Sequence, residues 1–235
     1  MNDSRLQAAP LLPAADAYLF DIDGTLLNSR DGVHYNAFHA AVREVYGIDS
    51  KIDGVPVHGN TDLGILRAVA RRAGLADSEF EQKLPAAIAC MCAAASRNSA
   101  HMSPELCPAI KELLTGLKHT GKLLGVVSGN LEAIGWLKLE AAGIRQFFAF
   151  GSFSNQRELR RDIFRQGLNE VRTRLGARAR TCFVGDTPAD IEAARLVGSP
   201  ILAVATGIFT RAELLAAAPD ACVSGCGDLM QVLGE

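Results

Sequence analysis

The chain has 235 residues, of which 49% are hydrophobic and 21% charged, and its formal net charge is -2. This composition is typical of a folded globular protein and excludes both an intrinsically disordered chain and a strongly basic nucleic-acid binder. The length favours one core domain that carries a sizeable insertion.

The six cysteines show no paired CxxC spacing, and several lie inside apolar stretches, so we expect buried thiols in a reducing compartment. The apolar stretch near the N-terminus is interrupted by Pro10 and Pro13 and is too short to span a membrane. We therefore expect a cytoplasmic protein with no membrane partner, in which residues 1–15 form a flexible leader.

In chain order, apolar runs predict strands at residues 17–20, 122–127, 147–150, 181–184 and 200–204. Helical spacing between them predicts helices at 104–119, 131–142, 159–175, 188–197 and 211–218. Because the runs are apolar throughout and alternate with helices, they favour a parallel sheet that is covered on both faces. The predicted fold class is α/β, a doubly wound, Rossmann-like sheet whose ligands bind at the carboxyl ends of the strands.

Residues 31–100 break this alternation, because they offer only helical patterns and turns. We predict a helical insertion there and a core made of residues 16–30 and 101–235. The polar, glycine- and proline-containing segments 28–32 and 99–104 have the composition of hinges.

Two carboxylates follow the first predicted strand. Asp21 and Asp23 are spaced i, i+2, so on an extended chain they project to the same side, where one can act as nucleophile or ligand and the other can handle a proton. Gly24 allows a sharp turn, and Thr25 can hydrogen-bond within it. The alternative interpretation is a solvated Asp-Gly turn without function.

Two further strand ends carry polar residues. Ser128, Gly129 and Asn130 form a small-residue loop before a helix, which suits a phosphate oxygen, although ordinary helix capping is the alternative. Asp186 and Asp190 follow the fourth predicted strand, and we predict that Asp186 binds a metal ion. Asp190 alone is also explained by a helix N-terminus that favours negative charge.

Together, these motifs resemble those of the haloacid dehalogenase superfamily of phosphohydrolases. The matching residues run from Asp21 to Leu27, then Ser128, then from Gly185 to Asp190. The helical insertion is similar to the cap of phosphoglycolate phosphatase and β-phosphoglucomutase relatives.

The resemblance implies that Asp21 takes the phosphoryl group and that Asp23 protonates the leaving oxygen and later activates water. It implies that Mg²⁺ is bound by Asp21, the backbone carbonyl of Asp23 and Asp186, with Asp190 as an additional or water-mediated ligand. Ser128 would hold a phosphate oxygen. The substrate-binding residues expected beside it are Thr25, Gly129 and Asn130.

One departure from the family concerns the positive charge beside the nucleophile. The family usually places a lysine in the segment that corresponds to residues 151–161, and here that segment contains none. We predict that Arg160 replaces it, with Arg157 and Arg161 as alternatives. Lys138 is expected to be too far away, because it lies roughly 12 Å along its helix from the loop of Ser128.

In the insertion, His58, Asn60 and Thr61 are expected to contact the part of the substrate that lies beyond the phosphate. The alternative is that His58 is a surface residue and that Thr61 or Asp62 only caps the following helix.

The predicted function is hydrolysis of a small phosphorylated metabolite by a monomer or homodimer with no nucleic-acid partner. Asp23 argues against the dehalogenase branch, whose reaction needs no proton for an alkoxide. A phosphomutase stays open, as does a non-catalytic binding protein that keeps the fold. A phosphonate-cleaving enzyme would need an insertion lysine, for which Lys51 and Lys83 are available. A phosphorelay receiver does not suit so large an insertion.

Overall fold

The computed structural model describes residues 15–49, 52 and 54–232, so Lys51, Asp53 and nearly all of the predicted leader lie outside the described residues. The strands are β1 (Ala17–Phe20), β2 (Leu27–Asn28), β3 (Glu105–Leu106), β4 (Leu123–Val127), β5 (Phe150–Ser152), β6 (Thr181–Gly185), β7 (Ile201–Val204) and β8 (Ala221–Val223). The helices are α1 (Val33–Glu44), α2 (Asp62–Arg72), α3 (Asp77–Arg97), α4 (Ile110–His119), α5 (Glu132–Ala141), α6 (Arg160–Leu175), α7 (Pro188–Val197), α8 (Arg211–Ala216) and α9 (Cys226–Val232).

Six strands form one sheet in the order β5-β4-β1-β6-β7-β8. Every pairing in this sheet is parallel. Strand β1 lies between β4 and β6, so the strand order reverses beside it and a crevice opens at the carboxyl ends of these three strands. The predicted fold class, a doubly wound α/β sheet, is confirmed.

Both faces of the sheet are buried, which explains why its strands are apolar throughout. Tyr18 and Phe20 enter a cluster that includes leucines of α4 and α9, while Ala17 and Leu19 enter a second cluster with residues of α6 and α7. Successive strand residues point to opposite faces, so each strand contributes to both layers.

Helices α1, α2 and α3 lie between β2 and β3, which pair with each other in antiparallel register. These helices share a separate apolar cluster around Phe38, Leu66 and Met91. The cluster also includes Leu131 and Ile134 at the start of α5, so the helices of this segment pack against the end of the sheet that carries the crevice. The division of the chain at residues 31 and 100 into two domains stays a prediction.

The observed strands and helices differ from the predicted ones where the sequence pattern covers only a few residues. Strand β5 begins at Phe150, after a 3-10 turn at Arg145–Phe147, and not at residue 147. The helix predicted from residue 104 begins at Ile110, because β3 takes up the first part of that segment. Strand β8 and helix α9 were not predicted, since three and seven residues give too little periodicity.

All six cysteines are free thiols, four of them buried. No helix in the described part of the chain is both long and apolar enough to span a membrane.

Candidate active site

Four chain segments bring charged and polar side chains to the crevice. Asp21 follows β1, Ser128 follows β4, Asp186 follows β6, and Arg160 begins α6. These four side chains line a cavity of about 330 Å³, which α1 and α2 cover from the other side. Asp190 lies in the first turn of α7, directly behind them, and is fully buried.

Asp21 is buried and paired with a buried cation. Its Oδ2 lies 2.8 Å from Nη2 of Arg160, whose Nε lies 2.6 Å from Oδ1 of Asp190. Among the three predicted arginines, Arg160 therefore contacts Asp21, while the side chain of Arg161 is half exposed. Burial raises the pKa of Asp21 to about 6; the charge of Arg160 opposes this rise, and Asp190 adds to it.

Asp186 is held by the turn that follows β1. The hydroxyl of Thr25 donates to Oδ1 of Asp186 at 2.9 Å. Thr25 is itself fully buried, so it positions this carboxylate and does not face the substrate cavity. A Cβ atom on Gly24 or Gly207 would overlap the Asp186 carboxylate, which explains why glycine occupies both positions. Burial, followed by the charges of Asp190 and Asp21, raises the pKa of Asp186 well above its usual range.

The three carboxylates form a cluster that fits a divalent cation. Asp21, Asp186 and Asp190 each offer an oxygen, and these atoms lie within 4.8 Å of one another. Oδ1 of Asp21 is buried without a hydrogen-bond partner, so it is available as a ligand. Hard oxygen donors of this kind suit Mg²⁺ or Ca²⁺. Asp190 is less available, because Thr187 and Arg160 already bind its two oxygens.

A second network surrounds Asp23. Nζ of Lys138 lies 2.8 and 2.7 Å from the two carboxylate oxygens of Asp23 and 3.0 Å from Oδ1 of Asn130. The Asn130 amide donates to Oδ2 of Asp23 at 2.7 Å and to Oγ of Ser128 at 2.9 Å. The three N–H groups of Lys138 therefore have three acceptors, and the network connects Asp23 to the loop of Ser128.

The expectation that Lys138 is too far away is wrong. That estimate counted only the rise along α5, but a helical side chain points back toward the N-terminus of its helix and a lysine stem is long. Lys138 is nearly inaccessible to solvent, so its ammonium group is directed into the protein, toward Asp23.

The environment of Asp23 differs from that of Asp21 in its effect on ionisation. Desolvation tends to raise the pKa of Asp23, but the charges of Lys138 and His34 and the hydrogen bonds from Lys138 and Asn130 together lower it. These contacts favour the carboxylate form of Asp23.

The turn before α2 approaches the core closely. The backbone N–H of Asp62 donates to the carbonyl of Gly129 at 2.8 Å, and a Cβ atom on Gly129 would overlap the carbonyl of Asn60. The hydroxyl of Thr61 donates to the carbonyl of Glu158 at 2.7 Å and caps α2 by accepting from Gly64. Thr61 thus caps the helix, as the alternative interpretation held.

His58 and Asn60 both line the cavity, as expected for residues that contact the substrate. The side chain of Asn60, however, bonds within its own turn, to the N–H of Thr61 and the carbonyl of Pro56. Its amide is therefore already partnered, while His58 is an exposed residue of the cavity lining.

Sequence reasoning missed a pair of residues on the insertion side. Nε2 of His34 lies 3.1 Å from Oδ2 of Asp62, and the same oxygen accepts the N–H of Leu131 at 2.7 Å. Both His34 and Asp62 line the cavity. They are 28 positions apart, so no local spacing signals their contact.

A family model described as haloacid dehalogenase-like hydrolase matches residues 18–204 of the chain. The chain belongs to this family. The resemblance of the motifs at Asp21, Ser128 and Asp186 to this superfamily is thereby confirmed. All the clustered residues of the site lie within the matched range.

Two curated relatives of this haloacid dehalogenase-like hydrolase carry phosphatase names. A phosphoglycolate phosphatase of Synechococcus elongatus is 28% identical over 93% of the chain and 97% of its own length. A probable phosphatase, IndB, of Dickeya dadantii is 29% identical over 87% of each chain. The predicted enzyme class, a phosphatase, agrees with both names.

Solved structures show the same fold. The crystal structure of CbbY from Rhodobacter sphaeroides in complex with phosphate has a TM-score of 0.70 at 20% identity and covers 94% of this chain and all of its own.

Proposed function

We propose that this hydrolase is a magnesium-dependent phosphatase that cleaves a small phosphate monoester through an aspartyl-phosphate on Asp21. The observation that carries the proposal is the environment of Asp21. One carboxylate oxygen pairs with Arg160, and the other is buried without a hydrogen-bond partner at the edge of the cavity. A carboxylate held in one orientation is prepared to attack a bound phosphorus atom.

In the first step, an oxygen of Asp21 forms a bond to phosphorus while the bond from phosphorus to the leaving oxygen breaks. Asp23 first takes up a proton from solvent and gives it to that leaving oxygen, and the contacts with Lys138 and Asn130 stabilise the carboxylate that remains. Ser128 assists, because its oxygen accepts from Asn130 and its own proton is therefore available to a phosphate oxygen. Arg160 offsets the negative charge that Asp21 and the phosphate bring together.

In the second step, a water molecule attacks phosphorus, and the bond from phosphorus to Asp21 breaks. Asp23, now a carboxylate, accepts the proton that this water loses, which restores both groups for the next cycle. The contacts of Asp23 with Lys138 and Asn130 suit this second role, because they hold the carboxylate form in one position.

We propose that Mg²⁺ is held by Asp21 and Asp186, with the backbone carbonyl of Asp23 as a further ligand. Asp190 contributes through Arg160 or through a bound water, since both its oxygens are engaged. When bound, the ion reduces the repulsion between an attacking carboxylate and an anionic phosphate.

The alternatives are weaker. A sugar hydroxyl that replaced the water would make the enzyme a phosphomutase, but no described residue favours that acceptor. The argument for a non-catalytic protein was the absent lysine, and Arg160 and Lys138 both supply a buried positive charge beside the two aspartates. A small metabolite as substrate, a cytoplasmic location, the absence of a nucleic-acid partner and a monomeric or homodimeric state stay predictions.

The experiment that tests the proposal is release of phosphate from a panel of small phosphate esters, with and without Mg²⁺. Phosphoglycolate belongs in the panel because the Synechococcus relative is named for it. We expect turnover that requires Mg²⁺ and is lost in Asp21→Asn but retained in the control Asp77→Asn, an exposed aspartate on α3. An isomeric ester as product would show a phosphomutase, and release that survives Asp21→Asn would contradict the proposed nucleophile.

A further inference from the structure

The cavity has two sides of different chemistry. Its floor carries the charged groups of the proposed reaction, among them Asp21, Asp186 and Arg160. The opposite side, which we call the distal wall, is formed by the residues between 28 and 65 that line the cavity. The apolar and aromatic members of the distal wall are Tyr35, Phe38, Ile52, Val57 and Ile65. Ile208, which is largely exposed, extends this apolar surface at the rim.

Most polar side chains of the distal wall already bond to the protein. Both carboxylate oxygens of Asp31 accept backbone N–H groups, from Val33 at 2.9 Å and from Ser103 at 3.0 Å. The Asn60 amide is used within its own turn. These bonds within the protein leave fewer lone pairs and N–H groups for the many hydroxyls of a sugar.

The polar groups of the distal wall that are open to a substrate are few. The hydroxyl of Ser29 has no hydrogen-bond partner in the described structure, but its oxygen is buried and so is closed to a substrate. His34 and Asp62 bond to each other, whereas His58 is an exposed residue of the lining. The wall therefore offers a substrate mainly apolar side chains, together with one exposed histidine.

The charge of the distal wall is also informative. It carries the carboxylates of Asp31 and Asp62, whereas Arg160 and Lys138 lie on the floor and are engaged by Asp21, Asp190 and Asp23. Among the described residues that line the cavity, no further lysine or arginine is present. The histidines of the lining are the remaining basic groups, but His34 already pairs with Asp62 and His58 is exposed. A carboxylate on the leaving group would thus lose its hydration near like charges and gain no buried cation in return.

We infer that the leaving group of the substrate is an uncharged alcohol with an apolar or aromatic face, and not a carboxylic acid or a sugar. The inference rests on the proposed function, because it concerns the same site. The space is sufficient, since 330 Å³ equals about eleven water volumes at ~30 Å³ each and so accommodates a ring beside the phosphate.

Four alkyl esters separate the possibilities: phenylethyl phosphate, ethyl phosphate, glycerol phosphate and phosphoglycolate. All have alkoxide leaving groups, so differences in kcat/KM report mainly on recognition. We expect phenylethyl phosphate to exceed phosphoglycolate roughly tenfold or more, from the burial of its ring against the distal wall. A higher kcat/KM for phosphoglycolate or glycerol phosphate than for phenylethyl phosphate would overturn the inference.

A charge placed on the distal wall provides a matched test. Tyr35 lies at the rim and is 40% exposed, so its replacement leaves the buried cluster intact. Tyr35→Arg should raise kcat/KM for phosphoglycolate and lower it for phenylethyl phosphate, each by roughly three- to tenfold, while Tyr35→Phe keeps the original order. If the order of the four esters is the same in Tyr35→Arg as in the wild type, the distal wall does not select the leaving group.

Binding to Asp21→Asn separates this inference from the proposed function. Calorimetry with the four esters and Mg²⁺ measures recognition without turnover. If phenylethyl phosphate binds most tightly but the wild type turns over no ester, the proposed function fails and the inference holds. If the wild type turns over esters but phosphoglycolate binds most tightly, the inference fails and the proposed function holds.

Discussion

Asp21 and Asp23 lie two residues apart on the same loop, yet the protein gives them opposite environments. Asp21 shares one arginine with Asp190, and burial, together with the charge of Asp190, raises its pKa to about 6 although the charge of Arg160 opposes the rise. Asp23 receives two hydrogen bonds from Lys138, whose third goes to Asn130, and one from the Asn130 amide, and its pKa is lowered.

We propose that the cation each carboxylate meets, and not the residue type, separates the two proposed roles. Arg160 spans Asp21 and Asp190, which fixes the orientation of the proposed nucleophile but leaves one of its oxygens without a hydrogen-bond partner. Lys138 donates to both oxygens of Asp23, which stabilises the carboxylate that remains after the proposed proton transfer. Four changes test this division, in order of decreasing expected effect.

Asp23→Asn should separate the two chemical steps. Turnover of an alkyl phosphate should fall roughly 10²- to 10⁴-fold, because the leaving alkoxide has no proton donor. With para-nitrophenyl phosphate, whose leaving group needs no proton, the first step should survive and give a burst of nitrophenolate before slow turnover. Stopped-flow absorbance measures the burst. Equal slowing of the first step for both esters would show that Asp23 is not the proton donor.

Arg160→Gln should weaken both catalysis and folding. We expect kcat/KM to fall roughly 10²-fold, since Asp21 loses the group that orients it. The free energy of unfolding should fall by roughly 3 kcal/mol, because the broken pair leaves buried carboxylates uncompensated. The matched control is Arg161→Gln, whose side chain is half exposed and should change stability by less than about 0.5 kcal/mol. Equal losses of kcat/KM and stability in the two variants would show that Arg160 has no special role beside Asp21.

Lys138→Met should act mainly on kcat. Loss of the charged hydrogen bonds to Asp23 should lower kcat by roughly 10- to 100-fold with little change in KM, because the substrate does not need this lysine to bind. Steady-state kinetics with an alkyl phosphate measure kcat and KM separately, and Lys111→Met, at an exposed position, serves as the control. A rise in KM at constant kcat would instead place Lys138 in substrate binding.

The smallest expected effect concerns metal and pH. The pKa of Asp21 is 3.8 in the unfolded chain and is raised to about 6 in the native state. At a pH between these two pKa values, the metal-free native state binds a proton that the unfolded state does not. The stability of the metal-free protein should therefore fall as pH rises through this window, and Mg²⁺ must displace that proton at low pH.

Thermal unfolding should show a Tm increase of roughly 5–10 °C at saturating Mg²⁺ near pH 7.5, and a smaller one near pH 5.5. Asp186→Asn should lose this increase; its persistence would show that the ion binds elsewhere.

The sequence was sufficient to predict the sheet and the convergence of Asp21, Ser128 and Asp186, because apolar runs end directly before these residues and parallel strands share one edge. The position of Arg160 beside Asp21 was also predicted, because Arg160 lies at the start of a predicted helix. Lys138 was missed because its position depends on the direction of a side chain and on how α5 packs, neither of which local spacing reveals.

The insertion was the harder part to predict. The contact of His34 with Asp62 joins two helices, and the polar groups of Asn60 and Thr61 turned out to bond to the protein itself. Hydrogen-bond partners of this kind are set by tertiary packing, so a polar residue in a turn does not reveal whether it faces a ligand. Strand β8 and helix α9 were too short to give a periodic signal.

The most direct test of the account is to detect the covalent intermediate on Asp21. The protein is mixed with a radiolabelled phosphate ester and Mg²⁺, quenched in acid within the first turnover, digested and analysed by mass spectrometry. The account predicts a phosphoryl group on the peptide that contains Asp21, with more label in Asp23→Asn under para-nitrophenyl phosphate, because water attack is slowed. Turnover with no label on that peptide, or with label on another residue, would contradict it.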